Sequence, residues 1–397
     1  MIYIEDKPIS EVFRAVPWPF KIVIVLGSLF IVFSIVYVTV FMLGGLRNTD
    51  AAKTPGPLQI LSNRSQSVLD PAIAGGPDGT KYMVYTSIQR AAETADVIGI
   101  SLAETTKDCA SWRFNKNILA AKTETLIAPD GQSELAFGVT RYETPTLVYV
   151  PEDKGREWKL YTYRYFWSEN NVAFAKRYSV ITQRTASNLM GEWSREEWLF
   201  SAAPDYPPPP YQKLVQNHVN RLHPSLARFT SYARPSALYK DGVLLMTLSA
   251  FADREIPEAV VLLASLDWGK SWRYLGTPLD ASRLDAIGNF TRLGGVTLLQ
   301  DGDGIYLAAV LGNDTVAAQG TFIFGFDEIE TGRLLGNDKG APRILQNIPQ
   351  QSVAPTPIGG GFAAYHPDCA HGIVTSEFSG LRNEWQIFRT IKTPEWK

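Results

Sequence analysis

Three residues stand at equivalent places in repeated sequence patterns and carry groups suited to acid–base or anion chemistry. They are Asp70 in Leu69-Asp70-Pro71-Ala72-Ile73, Glu143 in Glu143-Thr144-Pro145, and Arg234 in Arg234-Pro235-Ser236. Two carboxyls held in one pocket supply what acid–base work on an unreactive bond needs, a proton donor and a second group that takes a proton or attacks. A guanidinium such as that of Arg234 can clamp a carboxylate or a sugar acid through parallel N–H groups. Each residue also has a plainer role open to it. An Asp before Pro commonly accepts backbone hydrogen bonds in a turn, and Glu143 could pair with Arg234 or Arg141. His366-Pro367-Asp368-Cys369-Ala370-His371 offers four side chains able to bind a metal. Its proline and loop setting argue against their converging, so no metal is expected. Gly-x-Ser-x-Gly is absent, and Gly359-Gly360-Gly361 does not open a helix, which leaves nucleophilic serine chemistry and phosphate binding without support. No cofactor is expected.

The elements that must position these residues read as strands. Short runs rich in Val, Ile, Tyr, Phe and Thr alternate with Gly, Pro, Asn and Asp beyond about residue 68, and no long amphipathic helix interrupts them. One pattern recurs, a short strand, a turn and a second strand. It is seen at Asp70 before KYMVYTSI, at Glu143 before WKLYTYRYF, at Arg234 before VLLMTLSAF, at Gly294 before IYLAAVL, and at Ala354 before FAAYH. Five such units predict an all-β fold, a five-bladed β-propeller over residues 68–397, with two stacked sandwiches as the competing architecture. Prolines from Pro204 to Pro210 cannot serve a central strand, so this stretch and the QKLVQNHVNRL after it are expected to be a loop insertion.

Ser265-Leu266-Asp267-Trp268-Gly269-Lys270-Ser271-Trp272 resembles the Asp-box of sialidase-like propellers. The resemblance implies a structural role, with Ser265 and Asp267 closing the turn, Gly269 within it and Trp272 packed beneath. Ser187 to Trp193 is loosely similar to a turn of glycosidase propellers. The unit openings, above all Leu69-Asp70-Pro71-Ala72-Ile73 with Asp78-Gly79 and YMVYTS, resemble the five-bladed arabinanase, xylosidase and invertase-like glycoside hydrolases over most of residues 68–392. That resemblance implies a catalytic base or nucleophile at Asp70, with a second Asp tuning the acid and a Glu from a later blade donating the proton. Such a pair is needed because one carboxyl protonates the leaving oxygen while the other works on the opposite face of the sugar. The chain departs from the pattern. Arg234 stands where an Asp might be expected, Gly294-Gly295 brings no Glu, and Glu143 is the acid left at a comparable opening.

Composition frames these readings. Lys plus Arg at 38 against Asp plus Glu at 40 leaves no basic field for a nucleic-acid backbone, so nucleic acid is not an expected partner. Two cysteines, Cys109 and Cys369, allow one disulfide or none. Residues 22–46 form an uncharged apolar run. As a helix it would extend about 37 Å, enough to cross a hydrocarbon core of about 30 Å. The expected organisation is a short cytoplasmic or interfacial tail (1–21), a transmembrane helix through the lipid bilayer (22–46), a linker (47–67) and the propeller. Lysines and arginines flank the span evenly. Lys21 abuts it and the tail is short, which places the propeller outside the cytoplasm, in the periplasm of a bacterium, on the inner or plasma membrane. The incomplete acid set predicts a non-catalytic structural or docking subunit, with other membrane protein subunits as partners. The alternative is a membrane-tethered glycoside hydrolase or glycan-binding module using Asp70 and Glu143, with Arg234 on the ligand.

Overall fold

The computed structural model describes residues 58–89, 97–105, 109, 111–169, 177–202, 205, 207–252, 256–314, 318–349, 363–365, 373–379 and 384–389. The expected tail and membrane span lie outside these residues, as do residues 47–57 of the expected linker and His366, Asp368, Cys369 and His371. Among the described residues no helix is long and apolar enough to cross a membrane.

The described strands form five sheets. The first holds β1 (Ile60–Leu61), β2 (Ser67–Gly75), β3 (Lys81–Gln89), β4 (Val97–Thr105) and β5 (Trp112–Leu119), in the order β1-β5-β4-β3-β2. Sheet two contains β6 (Lys122–Ile127), β7 (Glu134–Tyr149), β8 (Trp158–Trp167), β9 (Val180–Ala186), β10 (Glu197–Ser201) and β11 (Val215–His218), arranged consecutively. Sheet three is β12 (Ser231–Lys240), β13 (Val243–Phe251), β14 (Ala259–Ser265) and β15 (Arg273–Asp280), also consecutive. In sheet four, β16 (Arg292–Asp301) and β17 (Gly304–Gly312) lead to β18 (Gly320–Glu328), which pairs with both β19 (Arg333–Leu334) and β20 (Ile344–Ile348). β21 (Ala363–Tyr365), β22 (Ile373–Ser379) and β23 (Glu384–Arg389) make the fifth.

These sheets close into a ring. β2 packs on β7, β7 on β12, β12 on β16 and β16 on β21, while β21, β22 and β23 return to β2. The fold is therefore all-β and propeller-like, and the stacked-sandwich alternative is set aside because two layers would not bring the last sheet back to the first. Four of the expected unit openings fall on β2, β7, β12 and β16. The fifth, at Ala354, lies outside the described residues.

Strand alternation explains the ring. Successive side chains point to opposite faces, and each sheet is buried on both. On β13, Leu244, Met246, Leu248 and Ala250 pack with Val148, Tyr161, Ile181 and Phe200 of sheet two. Leu245 turns the other way, to Leu298, Leu307 and Phe322 of sheet four. Val84 of β3 likewise faces Leu147 and Leu160, whereas Met83 and Tyr85 face Val374 and Ile387 of sheet five. Leu299 and Ile323 meet Ile373 between sheets four and five. Burial on both faces is why the middle strands read as near-continuous apolar runs.

Turn chemistry was legible locally. Asp241 and Gly242 join β12 to β13 with φ of 50° and 81°, the two left-handed positions that a two-residue hairpin of primed type demands. Between β14 and β15 the Asp267 carboxylate accepts from the N–H groups of Lys270 and Ser271 and from the Ser271 hydroxyl, and Ser265 Oγ accepts from Gly269 N–H. Burial opposes the Asp267 charge, but the Ser271, Ser265 and Lys270 hydrogen bonds prevail and hold its pKa down to about 2. Gly269 has φ of 95°, so a side chain there would be strained. Trp272 donates its indole N–H to Gly269 O and lies edge-on to Tyr161 and Phe200. Because its ring fills the wedge between sheets two and three, Trp272→Ala is expected to cost about 3–5 kcal/mol in denaturant unfolding. A loss under about 1 kcal/mol would show that the ring is not part of that core.

Two boundaries differ from the sequence expectation. Leu58 N–H donates to Ile387 O and β1 pairs in parallel with β5, so strand pairing begins before residue 68. The segment after the prolines is not loop throughout. β11 pairs in parallel with the edge strand β10, and because it follows the prolines it has the N–H donors they lack. Cys109 is disulfide-bonded.

Candidate functional site

The innermost strands share a defect. Pairing of β2 with β3 slips between Leu69 and Ala72, of β7 with β8 between Glu143 and Thr146, of β12 with β13 between Ala233 and Ser236, and of β16 with β17 between Leu293 and Val296. Each slip in the first three sheets contains one left-handed residue before a proline: Asp70 at φ 53°, Thr144 at 49° and Arg234 at 56°. A left-handed residue other than glycine costs on the order of 1–2 kcal/mol, and such strain gathers where a side chain must be aimed. The structural equivalent of Asp70 and Arg234 is therefore Thr144. Glu143 was aligned with them from the sequence but precedes the left-handed position.

Hydroxyl groups tie the inner strands to neighbouring sheets around these slips. Thr144 N–H donates to Thr86 Oγ1 at 3.0 Å, Ala237 N–H to Thr146 Oγ1 at 3.1 Å, Leu298 N–H to Ser236 Oγ at 2.9 Å, and Asp70 N–H to Ser376 Oγ at 3.3 Å. Thr86 does two jobs, because its hydroxyl also donates to Asp70 Oδ2 at 2.9 Å. Such bonds fix the inner strands without side chains that would fill the hub. Beyond the slips, Ala72, Thr146, Ser236 and Thr297 open a hub cavity of about 420 Å³.

Asp70 is buried, and its carboxyl pKa is pushed up to about 7. Burial is the main cause and the Glu143 charge the second, opposed by the Thr86 hydrogen bond, the Arg234 charge and the Thr144 N–H. Burial also raises Glu143, against the Tyr165 hydrogen bond and the Arg141 and Arg234 charges. Tyr165 donates its hydroxyl to Glu143 Oε1 at 2.5 Å. Burial lowers Arg234, and Asp70, Glu143 and Tyr163 counter it. The three predicted residues are thus brought together near enough for their charges to act on one another.

What they do not form is an ion pair. Among the described residues no nitrogen of Arg234 or Arg141 lies within 4.0 Å of an Asp70 or Glu143 oxygen. Arg141 instead stacks its guanidinium on Trp167 at 4.3 Å. The plainer role for Glu143, an arginine-locked carboxylate, is not what the structure holds. Two carboxyls of raised pKa thus stand on adjacent inner strands, with a guanidinium near enough for its charge to act on both.

Tyr163, Tyr165, Thr86 and Thr144 belong to the same cluster and were not singled out from the sequence. Their signal was present for the tyrosines. In WKLYTYRYFW, Tyr161, Tyr163 and Tyr165 alternate on one face of β8, Tyr163 pairs with Glu143 and Tyr165 with Arg141. Asp267, Ser265, Gly269 and Trp272 lie apart in their turn. No group of three or more metal-capable side chains occurs among the described residues.

No protein-family model matches this sequence, and no curated protein matches it. Solved structures do resemble it in fold. An exo-β-1,3-galactanase from Clostridium thermocellum is 11% identical with a TM-score of 0.48, over 85% of this chain and 61% of the galactanase. A family 117 glycoside hydrolase from Zobellia galactanivorans is 13% identical with a TM-score of 0.47, over 84% of this chain and 87% of that one. The expectation of a non-catalytic structural or docking subunit is corrected. It rested on an incomplete acid set, whereas the structure brings the buried carboxyl of Asp70 and the half-buried carboxyl of Glu143 onto adjacent inner strands, both raised above their ordinary pKa and, among the described residues, neither in an ion pair with an arginine.

Proposed function

We propose that this chain is a glycoside hydrolase built on a five-bladed propeller, with Asp70 and Glu143 as its acid pair and a glycan as its ligand. The observation that carries the reading is the pairing itself. Two carboxyls on neighbouring inner strands are both held above their ordinary pKa, and neither is neutralised by an arginine ion pair. Asp70, raised to about 7, is poised to give and take a proton under working conditions. One carboxyl protonates the leaving oxygen and the other acts on the opposite face of the ring. Tyr165 orients Glu143, and Thr86 with the Thr144 N–H orients Asp70. Ser265, Asp267, Gly269 and Trp272 serve as an Asp-box that holds the third blade's outer hairpin. Residues 22–46 tether the domain to a membrane on its extracytoplasmic side, a placement to which a disulfide at Cys109 is suited.

Reducing-sugar release by the full-length chain from a panel of polysaccharides and aryl glycosides tests the reading. Hydrolysis of at least one member is expected, with a rate limb near pH 7 belonging to the coupled acids. Glu143→Gln is expected to lower that rate about 10²-fold or more. No hydrolysis across the panel, or a fully active Glu143→Gln, would remove the glycosidase assignment.

A further inference from the structure

We infer that the site takes an anionic sugar, one whose carboxylate or sulfate group is bound by Arg234. The inference rests on the glycan-cleaving reading above and names the class of sugar that reading leaves open.

Arg234 occupies the left-handed slip of the third inner strand, the position that Asp70 holds in the first, so the same strained backbone aims both side chains. Its Nη1 is buried and has no hydrogen-bond partner. Among the described residues no carboxylate lies within 4.0 Å of it, although Asp70 and Glu143 are close enough to influence its charge. A guanidinium placed to neutralise those acids would make charge-assisted bonds to them, and this one does not. A buried donor without an acceptor is costly, and an oxyanion bound beside Arg234 would relieve that cost. A second orphan stands at the corresponding slip of sheet two, where Thr144 Oγ1 is also buried and unpartnered. Two neighbouring inner strands thus present unmet polar groups at the same level as the acids.

The chemistry of the missing partner follows. A planar fork of N–H groups matches two oxygens of a carboxylate or sulfate, and a buried arginine is the residue suited to such an oxyanion. A neutral hydroxyl would leave most of that fork unused. Protonation of Asp70, whose carboxyl is pushed up to about 7, lessens the repulsion an incoming anion would otherwise meet while leaving the second acid free to ionise. Thr144 then offers a hydroxyl to a neighbouring sugar oxygen.

Calorimetric titration of the full-length protein tests this with three oligosaccharides: an oligouronide, its carboxyl-reduced neutral counterpart, and a sulfated form of that neutral chain. At least one acidic ligand is expected to bind 10-fold or more tightly than the neutral one, the tighter arm identifying carboxylate or sulfate as the group bound. Arg234→Gln should abolish that preference. Arg234→Lys, which keeps charge but loses the fork, should retain only part of it. Equal affinity for all three ligands, or an Arg234→Gln variant that is folded by circular dichroism and keeps the preference, would overturn the inference. Hydrolysis of neutral glycans alone would also overturn it while the glycosidase reading stands. Failure to bind or cleave any of them would remove both.

Discussion

Asp70→Asn should lower kcat/KM on any glycan the protein cleaves by about 10²–10⁴-fold, the range expected when a positioned acid–base group is lost. The same change should make the folded protein more stable above neutral pH. Asn is the gentlest replacement at this position. Asp70 sits at φ 53°, a conformation Asn tolerates better than most residues, and an amide oxygen can still accept from Thr86. The sign of the stability change follows from linkage. The folded-state pKa of Asp70 is about 7 against an ordinary 3.8, so between about pH 4 and pH 7 the folded chain binds more protons than the unfolded one. Its stability therefore falls as pH rises through that window, by up to about 1.4 kcal/mol per pH unit from this group, and stays low above it. Asn cannot titrate, so the variant should show a shallower decline and gain on the native chain as pH rises through that window. Activity assays paired with thermal unfolding from pH 4 to pH 8 check both halves. A variant that loses activity and stability together at pH 8 would mean that Asp70 is a structural acceptor.

The second large effect is on folding, away from the site. Asp153 lies in the turn between β7 and β8, and its carboxylate pairs with Lys159 Nζ at 2.5 Å, with Lys159 fully buried. Burial lowers the Lys159 pKa, and the Asp153 hydrogen bond and charge oppose that shift. Two charges removed from water gain little net stability as a pair, but removing one partner leaves the other without compensation. Asp153→Ala should therefore cost about 3–5 kcal/mol, read as a lower urea midpoint at unchanged slope. Asp153→Ala combined with Lys159→Met should recover most of the loss, because the uncompensated charge is gone. If the double variant is no better than the single, the damage lies in the turn backbone and not in the orphaned ammonium.

Much of the fold could be read along the chain, because hairpins declare themselves locally. Asp241-Gly242 imposes its turn through backbone conformations few residues accept, and runs such as KYMVYTSIQ show strands buried on both faces. Asp70 and Arg234 could be picked out as chemically capable residues beside prolines, and Glu143 as one two residues before a proline. The tertiary structure decided how they are used. Whether Glu143 or Thr144 takes the left-handed place depends on a one-residue slip against β8, a property of strand pairing and not of either residue's type. The orphaned Nη1 of Arg234, the Tyr165 bond to Glu143 and the raised pKa of Asp70 depend on which strands surround each group. Hydrogen bonding and desolvation act across a few ångströms of space, and in a ring of sheets those ångströms separate residues far apart in sequence.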